Sequence, residues 1–383
     1  TREKPTTYDV GLDLDFFNNR LSVSGDYYRR YTTDMYTASV ALPAVYGTGS
    51  PKGNNAEMKT DGWELSLSWR DSFKLGGKPF DYSIKAMVWD SKSVITKYVN
   101  DTGSLGTVKG FIENGGSPSS YYVGMTVGEI WGYTVAGLFR DQADIDSSAI
   151  HDFVQASDKV TRPGQVKIAD LDGNGFIDPG NFAVDDHGDL RIIGNQSPRY
   201  RYGVNLSARW NGIGLSVFLQ GVGARDWYPG SDAGMFWGKY GRPFFALIPS
   251  IHNYTDDMYS AERNNWDTAY WPRMTTYQSN GTKNWTRLLE IPNTRYIQSA
   301  AYLRVKNIQL DYSFPKHICS AIRLQGLKIY VNAENLFTFT PLHKYAPNFD
   351  PEGLSYDSDF ASAADGYTYP ILKSVTVGVN ITF

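Results

Sequence analysis

The chain has 383 residues, a formal net charge of −3 and 15% aromatic residues, with 27 Tyr, 19 Phe, 10 Trp and a single Cys. A near-neutral balance excludes a nucleic-acid surface built on charge, lone Cys319 excludes an internal disulfide framework, and the lack of any long apolar run excludes a transmembrane helix. With a mean hydropathy of −0.39, the aromatic-rich composition suits a transmembrane β-barrel, where only alternate strand residues face lipid, or a secreted carbohydrate-binding β-protein.

Thr1-Arg-Glu-Lys leads straight into a strand, so any targeting information is expected upstream of Thr1. Tyr8, Val10, Leu12, Leu14 and Phe16 alternate with Thr7, Asp9, Gly11, Asp13 and Asp15. Successive strand side chains point to opposite faces, so one face is apolar and the other carries carboxylates. Those carboxylates are costly in a dry core and comfortable in a wet lumen. An Asn18-Asn19 turn leads to a second strand from Leu21 to about Tyr31, and a Gly- and Pro-rich loop follows.

Trp63, Leu65, Leu67 and Trp69 alternate with Glu64, Ser66, Ser68 and Arg70, and after a short turn Tyr82, Ile84, Ala86 and Val88 continue the pattern. A long region from about 93 to 198 holds one strand-like run, Ile130 to Phe139. Tyr200, Tyr202, Val204, Leu206, Ala208 and Trp210 form the next alternating strand, and an Asn211-Gly212 turn opens the one through Ile213, Leu215, Val217 and Leu219. A second long loop, about 222–295, is dense in Trp, Tyr, Asn and Pro. Strand character returns at 301–314, where the apolar phase slips near Asn307 and predicts a β-bulge. Leu327, Ile329, Val331 and Ala333 follow, and the last strand alternates Val375, Val377, Val379, Ile381 and Phe383 with Ser374, Thr376, Gly378, Asn380 and Thr382.

Short turns therefore alternate with long loops, the asymmetry of outer-membrane barrels, whose periplasmic turns are short and extracellular loops long. Phe16, Phe17, Trp69, Trp210, Phe314 and Phe383 all lie near the short-turn ends, where an interfacial aromatic girdle belongs. The strand near 80–90 ends on the long-loop side and the one at 199 begins there. Region 93–198 must hold zero or two crossings, which leaves nine or eleven strands.

Asp170-Leu-Asp-Gly-Asn-Gly-Phe-Ile-Asp178 places oxygen side chains at loop positions 1, 3, 5 and 9, Gly175 at position 6 and the Phe176 carbonyl at position 7. That pattern matches an EF-hand-type loop for a structural Ca2+ or Mg2+ held by Asp170, Asp172, Asn174, Phe176 and Asp178. Position 12 is Asn181 in place of an acidic residue, which predicts weaker affinity unless Asp185 or Asp186 fills in. A turn rich in Asp and Asn with no metal is the alternative. Trp227, Trp237, Trp266, Trp271 and Trp285 crowd one loop region. They are candidate stacking platforms for a ligand such as a sugar, or form the loop's own core or a protein contact surface. No catalytic constellation is found: the five His fall in no metalloprotease spacing, and no nucleophile elbow or phosphate loop is present.

Several blocks resemble the C-terminal part of SusC/RagA-type TonB-dependent outer-membrane transporters. They are the opening TTYDVGLDLDFFNNRLSVSGDYY, Trp131 to Phe139, Lys167 to Asp178 followed by Ile193 to Pro198, Tyr302 to Asn307, Asn335 to Thr338 and Asp350-Pro-Glu352. The resemblance runs along nearly the whole chain. It implies an all-β transmembrane antiparallel barrel, of whose expected 22 strands this chain holds 9 to 11, and an N-terminal plug domain absent here. It further implies a SusD-like surface lipoprotein as lid, and uptake of oligosaccharides or peptides driven through TonB across the outer membrane of a Gram-negative bacterium. A passive porin-like barrel and a secreted carbohydrate-binding protein are the competing expectations. Because two open sheet edges are untenable in lipid, the first and last strands are expected to pair with the N-terminal part of the same transporter, supplied as a separate chain.

Overall fold

The computed structural model describes residues 2–38, 51–107, 120–151, 161–229, 257–273, 291–354 and 371–383, with Val45, Gly47, Pro118 and Phe236 besides. Nine strands form one antiparallel sheet. They are β1 (Lys4–Phe16), β2 (Leu21–Ala38), β3 (Lys52–Leu75), β4 (Lys78–Lys97), β9 (Arg199–Trp210), β10 (Ile213–Ala224), β13 (Tyr302–Ser313), β14 (Gly326–Phe339) and β15 (Ser374–Thr382), hydrogen-bonded in that order. Six short strands lie in the long connections: β5 (Glu129–Tyr133), β6 (Val135–Leu138), β7 (Val166–Ile168), β8 (Leu190–Asn195), β11 (Asp226–Trp227) and β12 (Gln298–Ser299).

Turn chemistry fixes the register. Phe17, Asn18 and Asn19 take φ of 55°, 57° and 61° between Phe16 and its partner Leu21, a conformation that Asn tolerates better than most residues. Asn211 (φ 50°) and Gly212 (φ 86°) join Trp210 to Ile213 in a two-residue hairpin of the kind whose twist suits flanking strands. A Cβ on Gly212 would come 2.6 Å from the Ser313 carbonyl oxygen, so glycine is required there.

The parity question resolves to nine strands, because β4 pairs directly with β9 from Phe80↔Trp210 to Trp89↔Arg201. The intervening chain makes no crossing among the described residues. Its expected single strand at 130–139 is two, β5 and β6, separated at Thr134 and paired with β8 and β7. The bulge expected near Asn307 is present: the register slips between Val305 and Asn307 against β14, and between Phe218 and Leu219 against β10.

Hydrophobic residues are arranged inside out on the large sheet. Val10, Leu12 and Val377 are 75%, 61% and 74% exposed, and Leu14, Leu67, Ile84, Leu215, Leu310, Ile329, Val331 and Val379 are exposed with them. Near the short-turn ends Phe17 meets Trp69 at 6.2 Å and Phe73 meets Phe80 at 5.0 Å. The indole N–H of Trp210 donates to the Leu75 carbonyl at 3.0 Å. The buried core lies instead in the long connections and joins Leu105, Trp131, Tyr133, Leu138, Ile177 and Leu190 to Trp227, Trp271, Tyr296, Leu342 and Phe349. One half of the molecule is a wall; the other is a packed unit on its long-loop end.

Candidate functional site

The polar face of the wall follows from the same alternation. Asp13, Asp15, Asp26 and Glu64 lie on the face opposite Leu12, Leu14 and Leu65, and Asp26 stands directly across from Glu64. Toward the short-turn end this face forms a groove of about 680 Å³ lined by Arg20, Arg70, Asp81, Arg209, Asp311 and Lys328, among others. Asp311 is buried there between Lys328 at 3.2 Å and Arg209 at 3.7 Å. The face carries charges and hydroxyls, and among the described residues its carboxylates lie beside arginines and lysines.

Ion pairs brace the long-loop end of the wall and fasten the packed unit to it. Asp90 and Arg199, at the long-loop ends of β4 and β9, tie these two wall strands together in a bidentate pair with Nε–Oδ1 at 2.6 Å and Nη2–Oδ2 at 2.5 Å. Arg304 of β13, 3% exposed, bonds Asp350 at 2.7 Å and also Glu352. Lys306 and the Tyr302 hydroxyl donate to Glu352 at 2.9 Å and 3.0 Å. Arg225 donates to the carbonyls of Gln196 and Pro351, both at 3.1 Å. The segment carrying Leu342, Phe349 and Leu354 is thereby pinned to the start of β13 and the end of β10 by charges that are costly to leave unpaired.

Of the five tryptophans, Trp227 and Trp271 are 0% and 1% exposed. Trp227 packs on Phe349 at 4.9 Å and Trp271 stacks on Tyr296 at 5.7 Å. For these two rings the second of the two expectations, the loop's own core, is what the burial matches, because a long connection with few regular hydrogen bonds is held together by burying its own aromatics. Trp266 is half-buried against the same core. Trp237 and Trp285 lie outside the described residues.

The acidic loop is folded around its own backbone. Asp170 accepts from Gly173 N–H at 2.7 Å and Gly175 N–H at 3.0 Å, and the latter bond above all holds its carboxyl below the usual range. Asp172 accepts from Asn174 N–H at 3.0 Å, and Asp178 from Gly180 N–H at 2.7 Å. Asn181, the twelfth position, donates its amide to Asp186, and Asp186 is not among the carboxylates that gather with Asp170 and Asp172. Asp189 joins them instead. It is fully buried, accepts from Leu171 N–H at 2.6 Å and Asp178 N–H at 3.2 Å, and brings a carboxylate oxygen within 4.8 Å of those of Asp170 and Asp172. Burial pushes its carboxyl up, with Asp172 adding to the shift. Counting loop positions from Asp170 could not find it, because residues 179–188 intervene.

Comparison with known proteins bears on the architecture. The family model described as TonB dependent receptor-like, beta-barrel, matches residues 2–180, just under half of the chain. TonB-dependent receptor P3 of Formosa agariphila is 26% identical over 98% of this chain and 34% of its own length. TonB-dependent receptor SusC of Bacteroides thetaiotaomicron is 24% identical over 100% of this chain and 32% of its own. Among solved structures, the RagAB peptide importer in its closed-closed state superposes with a TM-score of 0.64 at 20% identity, covering 100% of this chain and 35% of that one. The chain thus spans about a third of the length of the relatives it matches. These relatives carry the names of receptors and an importer, and none that of an enzyme.

Proposed function

We infer that this chain, a stretch of a TonB-dependent receptor β-barrel of the SusC and RagA type, supplies part of the wall and the substrate-facing cap of an active importer in the outer membrane of a Gram-negative bacterium. The observation that carries the reading is the division of the molecule. A nine-stranded sheet with aliphatics outward and carboxylates inward is suited to lipid on one side and water on the other. The packed unit fastened at its long-loop end is suited to meeting a substrate and a second protein. The cargo is an oligosaccharide or a peptide, a hydrophilic oligomer matched to the polar inner face. A SusD-like surface lipoprotein serves as lid, and TonB acts through parts of the receptor outside these 383 residues.

The reading is tested with the full receptor. Cells lacking it and cells restored with it would be offered labelled peptides and labelled oligosaccharides, with and without collapse of the inner-membrane proton gradient. Restored uptake of one class that stops on collapse is the expected result. Uptake that persists after collapse would make the barrel a passive pore. Purification in detergent should bring down a surface lipoprotein, and its absence would remove the lid from the account.

A further inference from the structure

Two features of the acidic loop are left without an occupant by its own hydrogen bonds. The first is charge. Asp170, Asp172 and Asp189 place three carboxylate oxygens within 4.8 Å of one another, Asp178 shares the donors of Asn174 with Asp172, and none of the four has a Lys, Arg or His ion-pair partner among the described residues. The second is independent of the acidic residues. The hydroxyl of Tyr133, a side chain 1% exposed, has no hydrogen-bond partner among the described residues. Tyr133 faces Leu190 across the β5–β8 ladder, one residue from Asp189. A buried hydroxyl with no protein partner needs water or an ion's hydration shell to bond to.

We propose that this loop holds a hard divalent cation, Ca2+ in preference to Mg2+, through Asp170, Asp172, Asn174, Asp178 and the Phe176 carbonyl, and that Asp189 closes the shell in the role the spacing gives to Asn181. The Tyr133 hydroxyl bonds to a water of the cation's shell. Oxygen-only ligands in a flexible loop of this spacing are the chemistry of Ca2+. Asp189 opens the segment that runs into β8, and Ile150 lies in a parallel bridge with Phe176. The cation thereby ties the 170–178 loop to the segment that enters β8, and the backbone bridge at Phe176 extends the brace to Ile150. Its role is to brace the cap, and no step of transport passes through it.

The test uses the full receptor, purified in detergent, stripped with EDTA and titrated with CaCl2. Bound calcium is counted, and deuterium exchange is followed at residues 170–178. Asp172 is exposed, so Asp172→Asn leaves the fold intact. It should bind one Ca2+ fewer per receptor than the wild type, or bind it at least ten-fold more weakly, and should lose the calcium-dependent protection of the loop. Asp189→Asn should do the same, whereas Asn181→Asp should leave affinity within two-fold of wild type. An Asp172→Asn receptor with wild-type stoichiometry and affinity would overturn the site. A ten-fold gain in Asn181→Asp would return the twelfth position to Asn181 and overturn the assignment of Asp189, a result that stands even if Asp189→Asn fails to fold.

Discussion

At the scale of single residues, the state of a polar side chain is set by burial that no local pattern announces. His151 is an example. It is 3% exposed, its Nδ1 lies 2.8 Å from the Ala149 carbonyl, and its Nε2 accepts from Ile168 N–H at 2.9 Å. One ring nitrogen donates and the other accepts, so the ring is neutral and burial holds its pKa below the ordinary histidine value. A base with a depressed folded-state pKa binds more protons when unfolded. Its contribution is complete above the unfolded value of about 6.5 and is lost as pH falls through and below it. Hydrogen exchange of the Ile168 amide, corrected for intrinsic rate, should therefore quicken between pH 7 and pH 5 in the wild type. In His151→Gln that pH dependence should be absent; an unchanged profile in both would show that the ring does not couple to local stability. Asp189 escaped the sequence for a similar reason: loop arithmetic counts neighbours along the chain, and this carboxylate arrives after a ten-residue excursion.

At the scale of elements the sequence was far more legible. Period-two alternation located every strand of the large sheet, because lipid and lumen impose opposite demands on successive residues. The same rule yields a paired test at mid-strand. Leu206 and Ser207 are consecutive on β9, with Leu206 opposite Val217 and Ile84, and Ser207 opposite Ser216 and Ser83. Arginine at position 206 should cost about 2–4 kcal/mol in the folded membrane state, and at 207 much less. The readout is urea unfolding of the assembled receptor in lipid, and equal costs would refute the assignment of faces. Elements of the cap were misread where alternation gave way to continuous burial, as in β5, all five of whose residues are buried. There the fastening is ionic. Arg304→Ala would strand Asp350 and Glu352 without their buried partner, a loss of about 3–5 kcal/mol. Limited proteolysis should then cut the segment 340–354 faster, while β13 and β14 stay protected.

At the scale of the whole molecule, composition and loop asymmetry indicated the membrane barrel, while the packed cap was out of reach: its aromatics read equally well as binding platforms and as core until Trp227 and Trp271 were seen buried. The two edges of the sheet set the last test. β1 pairs with β2 and β15 with β14, and among the described residues neither has a second partner. A row of unpaired N–H and C=O groups facing lipid costs several kcal/mol per group, so an open sheet cannot be the form that sits in a membrane. Nine is also an odd number of crossings, whereas single-chain bacterial barrels are generally even. Pairing β1 with β15 would close a barrel of nine strands, too narrow for the cap that β4, β9, β10, β13 and β14 carry at one end. We therefore expect both edges to pair with strands lying outside these 383 residues, in a barrel about as large as those of relatives roughly three times as long. Cysteines placed at outward positions such as Val10 and Val377 should cross-link, in the intact receptor, to partners elsewhere in its sequence. A direct Val10→Cys to Val377→Cys disulfide formed in high yield would instead close the nine-stranded barrel and rule this arrangement out.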